Sequence, residues 1–208
     1  MKKYSYIGIA FIVLIFGIYA IPKIVANFKS HELVIVGSSP DFEFINQDNK
    51  TLSNSYYSNK VYVVEFFFTT CPTICPIMNE NMVILQNEFY GNPSFGIASF
   101  SINPEYDSPE ILKAYARDHG ATLKTWNFFT GDKDDIYDLA NKGFALYAGE
   151  NADAEGGFEH SGMFVLIDKK GNIRSRFDEF GNPIFFYDGL DKKSLQLLKE
   201  DISILLKE

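Results

Sequence analysis

The apolar positions of this 208-residue chain follow three rhythms, and each predicts a different element. The first is an unbroken apolar run from Tyr4 to Ile21, preceded by Lys2 and Lys3. Roughly 18 residues rising about 1.5 Å each approach the hydrocarbon thickness of a bilayer, which predicts a transmembrane helix. Lysines ahead of the run favour a cytoplasmic N-terminus. The expectation is a single-pass protein of the inner (cytoplasmic) membrane with its domain on the periplasmic, extracytoplasmic side. A cleaved signal peptide fits less well. Cuts after Ala20 or Ala26 would put Ile18 or Ile24 where a small residue is wanted. No cysteine follows the run closely, so the usual lipid-modified N-terminal cysteine is excluded. The predicted organisation is a membrane anchor over 1–27, a linker over 28–39 and one domain over 40–208.

The second rhythm is that of strands. "VYVVEFFF" (61–68) and "FGIASFSI" (95–102) are nearly continuous apolar runs, rich in β-branched and aromatic residues, as suits strands covered on both faces. "WNFFTG" (126–131) predicts a third. "DFEFINQDNKTLS" reads as a small hairpin turning at Asp48-Asn49, and "MFVLIDKKGNIRSRFD" as a second one. The third rhythm is helical. Met78, Met82, Leu85 and Phe89 recur at steps of four, three and four. In "DSPEILKAYARDHG", Asp107 or Ser108 caps a helix that Pro109 opens and Gly120 ends. Asp132 caps another carrying Ile136, Leu139, Ala140 and Phe144, and "LDKKSLQLLKEDISILLKE" closes the chain as an amphipathic helix. Strands alternating with helices imply parallel βαβ units. With a terminal hairpin and helix, the fold class predicted is α/β: a thioredoxin-like sandwich, its central mixed sheet flanked by helices, behind an N-terminal transmembrane helix.

Composition narrows the function classes. With 46 % hydrophobic and 16 % aromatic residues, a sizeable core is available. A formal charge of −8 leaves no basic footprint, so no nucleic-acid partner is expected. Two cysteines do not make a disulfide scaffold, although an exported domain permits a disulfide.

Both cysteines lie in "TTCPTICP" (69–76), between the predicted central strand and the first helix of the domain. The carboxyl edge of a parallel sheet is where open α/β sheets place ligands. A thiol in the first turn of a helix is biased towards thiolate, the form that attacks disulfides and binds metal. If the turn is helical across both, positions i and i+4 put the two sulfurs on one face. Three residues separate Cys71 from Cys75, where thioredoxin-type redox motifs have two. A staple closing so short a loop gains little chain entropy. Thiolates with imidazole suit copper, thiolates Cu(I) especially. Of the three histidines, His31 reads as a solvated linker residue and His119 as a helix-end residue. His160, closing the polar loop "AGENADAEGGFEHSG" (148–162), is the candidate third ligand. Met78 and Met82 read as core and Met163 as the start of a strand, and none of them is placed in the site. From the residues alone a redox pair and a metal site both stay open.

The chain resembles the Sco/SenC family, membrane-anchored copper proteins of the thioredoxin superfamily, over nearly everything from about residue 40 onward. "CPTICP" is similar to the family's C-P-x-x-C-P, "SINPEYDSPEILKAY" to its S-x-D-P-x-R-D-T-P-E and "EHSGMFVLID" to its D-H-S segment. The resemblance implies copper, Cu(I) or Cu(II), one per chain, held by Cys71, Cys75 and His160. It implies delivery of copper to the dinuclear copper site in subunit II of cytochrome c oxidase, or maintenance of that site's cysteines. Other copper carriers or thiol reductants would be further partners. The alternative is a thiol–disulfide oxidoreductase acting without copper, with Cys71 and Cys75 as its redox-active thiols. Thr73, Asn103 and Tyr106 depart from the family pattern at positions where it carries charge.

Overall fold

The computed structural model describes residues 5–28, 33–178 and 180–208. The chain forms two compact units, Met1–Glu32 and Leu33–Glu208. In the first, helix α1 spans Ser5–Phe28 and presents exposed apolar side chains such as Ile9, Phe11, Phe16 and Tyr19. Among the described residues no helix is long and apolar enough to cross a membrane. The expected transmembrane helix is therefore unsupported by α1. His31, read above as a linker residue, lies outside the described residues.

The second unit is built on a nine-stranded mixed sheet. Its strands are β1 (Val34–Ser38), β2 (Glu43–Asn46), β3 (Thr51–Ser53), β4 (Val61–Phe67), β5 (Phe95–Ser101), β6 (Trp126–Thr130), β9 (Met163–Ile167), β10 (Asn172–Ser175) and β11 (Tyr187–Asp188). The order is β1-β10-β9-β4-β5-β6-β2-β3, with β11 also paired to β9. Strands β4, β5 and β6 run parallel, joined through helices α2 (Ile74–Glu88) and α3 (Pro109–Asp118). Every residue of β4 and β5 is buried, as their continuous apolar runs require. Neighbours along β4 face opposite layers. Phe67 meets Tyr115 of α3 with ring centroids 5.4 Å apart, whereas Phe66 stacks on Phe100 at 5.5 Å, over which Phe42 sits edge-on. Each fully buried phenylalanine contributes about 1.5–3 kcal/mol through its area.

Helix α4 (Lys133–Asp138) starts at the predicted Asp132 cap and continues into a π-helical turn, Leu139–Gly143. Helix α5 (Lys192–Leu205) closes the fold and contacts α2 and β4. Two elements differ from expectation. Strand β1 lies inside the segment read as linker, because "LVIVG" is apolar enough to pair with β10. The polar loop contains a second, two-stranded sheet, β7 (Ala148–Glu150) and β8 (Phe158–His160). Of the two expected caps of α3, Ser108 takes the role, accepting the Ile111 amide.

Candidate metal centre

Strand β4 ends at Phe67 and delivers the chain to the carboxyl edge of the sheet. The turn that follows is closed by the Cys71 amide donating to the Phe68 carbonyl at 3.2 Å. Helix α2 begins only at Ile74, so Cys75 stands in its first turn and Cys71 lies before it. The premise of two sulfurs on one helical face therefore fails for Cys71; they converge because the turn folds Cys71 back over the helix start. Pro76 is tolerated there because its missing N–H belongs to the first turn, where no intrahelical acceptor exists.

A buried carboxylate clamps this turn from below. Asp107 accepts the Thr69 amide at 3.0 Å, the Thr69 hydroxyl, and the Ser101 hydroxyl at 2.5 Å. Read from sequence as a possible helix cap, Asp107 is instead fully buried and ties the cysteine turn to the end of β5. Only its side-chain type hinted at this role.

His160 arrives from the other side. It pairs with Ala148 across β7 and β8, and both main-chain groups of Ala148 are bound by the Asn141 side chain, at 2.8 and 3.1 Å. The His160 ring sits edge-on to Phe68, with centroids 5.8 Å apart. Its Nδ1 donates to the Ser161 carbonyl at 3.0 Å, which leaves the Nε2 lone pair facing inward, where it accepts from the Cys75 thiol at 3.1 Å. Ligand atoms of Cys71, Cys75 and His160 all lie within 4.8 Å of one another, and all three residues are buried. His119 is not brought here; its carbonyl accepts from Asn79 and its ring lies against Tyr115.

The two thiols are free and inequivalent. The neighbouring Cys75 side chain and, against burial, contributions from His160 and the amides of Cys75 and Thr73 lower the Cys71 pKa to about 3. Cys75 moves the opposite way, because Cys71 holds its proton and burial adds to the effect. Beneath them Glu65 is a lone carboxyl in an otherwise apolar strand. Burial raises its pKa to about 7, against the hydrogen bond from the Ser99 hydroxyl to its Oε1, while Oε2 has no partner. Its charge also contributes to raising Cys75. Sequence reading missed Glu65, although a single acid within "VYVVEFFF" is a visible anomaly.

A cleft of about 220 Å³ opens onto Cys71 and His160, apolar on one side (Phe68, Ile74, Phe158) and acidic on the other (Glu155, Glu159). Two cysteine sulfurs and one oriented imidazole form a soft donor set. It can take a thiophilic metal in trigonal fashion or close as a disulfide.

The SCO1/SenC family model matches residues 36–193. The SCO1 protein homolog of Bacillus subtilis (strain 168) is 33 % identical over 162 residues, covering 76 % of this chain and 82 % of its own length. The solved structure of BsSco, described as a member of the Sco family of cytochrome c oxidase assembly proteins with a disulfide switch, is 26 % identical. It superimposes with a TM-score of 0.69 and covers 84 % of this chain and 96 % of its own. The copper-bound ScoI of Bradyrhizobium japonicum, 18 % identical, shares the fold at a TM-score of 0.62, over 81 % of this chain and 99 % of its own.

Proposed function

The chain belongs to the SCO1/SenC family, and on that premise we propose that it is a copper-binding assembly factor for a respiratory cytochrome c oxidase. It takes one copper, Cu(I) or Cu(II), as cargo through Cys71, Cys75 and His160. It passes that copper to the dinuclear site of oxidase subunit II. Its N-terminal segment holds it to the cytoplasmic membrane with the domain 33–208 on the extracytoplasmic side. The apolar run and its leading lysines support that placement. The observation that carries the reading is the convergence of three buried soft donors, with the His160 ring turned so that Nε2 faces the sulfurs. Cu(I) favours two thiolates and an imidazole over the oxygen donors nearby.

The depressed pKa of Cys71 favours a second use of the same pair, keeping the target's cysteines reduced. The Cys71 thiolate would attack a target disulfide and release one target thiolate. Cys75, losing its proton, would then attack the Cys71 sulfur and release the second. The target gains two electrons and this chain ends as the Cys71–Cys75 disulfide.

Copper titration of the full chain in detergent tests the reading. Reduced protein is expected to bind one Cu(I) per chain and oxidised protein none. Metal must displace the Cys75 proton, so affinity should rise with pH, by about tenfold per unit. His160→Ala should weaken binding about a hundredfold while leaving disulfide exchange measurable. Reduced wild type that holds no copper yet reduces protein disulfides would sink the copper reading and leave the thiol one.

A further inference from the structure

The hairpin between β10 and β11 displays its largest apolar groups to solvent. Phe180 at its tip is 81 % exposed, and Phe177 and Phe185 are 47 % and 48 % exposed. The hairpin is well formed. Phe177 bridges Pro183, the Asp178 carboxylate accepts the amides of Phe180 and Asn182, and the Ile184 amide donates to the Arg176 carbonyl. Its base is fixed by Arg176, which donates Nε and Nη2 to the buried Asp201 at 2.8 and 2.6 Å. Phe185 has a φ of +58°, a strained value for a bulky residue, and its amide is held by the Ser175 hydroxyl. Exposed phenylalanines grouped on one hairpin mark a contact surface.

The strand register says what that surface faces. Val34 pairs with Ser175, so the chain enters the domain one residue from the base of the hairpin. Strand β9 is antiparallel to β4 and β10 to β9, so Ser175 points to the edge where β4 hands over to the cysteine turn. Tether entry, aromatic hairpin and Cys71–Cys75–His160 thus share one edge of the sheet. From Phe28 to Leu33 is five residue steps, at most about 18 Å of extended chain. Resting on the membrane attachment proposed above, we infer that Phe177, Phe180 and Phe185 seat in the headgroup–acyl boundary of the bilayer. The domain is thereby held with its metal-site edge towards the membrane. Aromatic side chains favour that boundary. The hairpin from 177 to 188 carries acids and no lysine or arginine, which suits zwitterionic headgroups over anionic ones.

Full-length protein carrying Phe180→Trp, reconstituted into phosphatidylcholine vesicles with or without brominated acyl chains, tests this. Trp126 is buried and supplies a constant background. The added emission should be blue-shifted and quenched roughly twofold or more by brominated lipid. Emission from Tyr90→Trp, an exposed position just ahead of β5 at the opposite edge, should be unquenched. Chain that fails to float with the vesicles overturns the attachment itself and this inference with it. Chain that floats while Phe180→Trp stays unquenched, or is quenched no more than Tyr90→Trp, overturns the hairpin contact alone.

Discussion

The buried polar clusters around Asp201 and around Cys75 are built on opposite plans. Around Asp201 the partnering is closed: both carboxylate oxygens are used, by Arg176 and by the Tyr187 hydroxyl at 2.6 Å. None of these three side chains has an unpartnered buried atom among the described residues. Around Cys75 the partnering is open. Two sulfurs and Nε2 of His160 converge as soft donors with no ion pair or carboxylate among them, and Glu65 keeps one oxygen unpartnered. A closed cluster fixes the position of a chain segment, here the base of the aromatic hairpin. An open cluster tolerates unsatisfied groups because a cargo or a redox partner can satisfy them. Burial and polarity alone do not separate structure from function; spare bonding capacity does.

The largest test of this contrast is Asp201→Ala. It leaves the Arg176 charge buried without its main partner and should cost about 3–5 kcal/mol in chemical denaturation, with copper stoichiometry at low temperature unchanged. Equal loss of copper binding and stability would erase the distinction. Glu65→Gln is expected to do the reverse. The folded-state pKa of Glu65, near 7, lies above its ordinary 4.5. The folded protein therefore keeps a proton that the unfolded chain gives up, and stability falls as pH rises from about 4.5 to 7. That fall amounts to about 3 kcal/mol. The glutamine variant should flatten it, read by urea unfolding at several pH values; an unchanged slope would show Glu65 to be solvated. Gly156→Ala is the smallest perturbation. Gly156 has a φ of +88° and an added Cβ would lie 2.8 Å from the Phe68 ring, which backs His160. A loss of about 1–2 kcal/mol is expected, with weaker Cu(I) binding from the displaced imidazole. Full stability and affinity in that variant would mean that the β7–β8 hairpin does not position His160.

Much of this could be read before the fold was known, where the chain's own periodicity carries the signal. The interior of β4 and β5, the helical face of Met78, Met82 and Leu85, and the cap at Asp132 are local facts written in local sequence. What escaped depends on distant partners. Strand β1 needs β10, about 140 residues away, before "LVIVG" means strand. Asp107 reads as a cap because caps are local, while its actual partners Thr69 and Ser101 belong to two other strand ends. The pairing of β7 with β8 depends on Asn141 side-chain bonds that no periodicity encodes. The cysteine spacing suggested a helical pair, but the turn at Phe68–Cys71 sets the geometry. His160 stood out by composition and motif, and its ring orientation came only from the Ser161 carbonyl.

The Asp107 clamp separates what is constrained from what can drift. It anchors the cysteine turn from inside, through a carboxylate with no exposed surface, while Glu105 and Tyr106 beside it lie open to solvent. Replacements at Glu105 and Tyr106 change the exposed rim without touching the bonds of Asp107 to Thr69 and Ser101. Tyr106 stands on that rim, whereas the Asn103 amide donates to the Ser101 hydroxyl of the clamp and the Thr73 hydroxyl lies 3.7 Å from the Cys71 sulfur. The exposed rim is thus free to change its chemistry while the carboxylate beneath it keeps the cysteine turn in place.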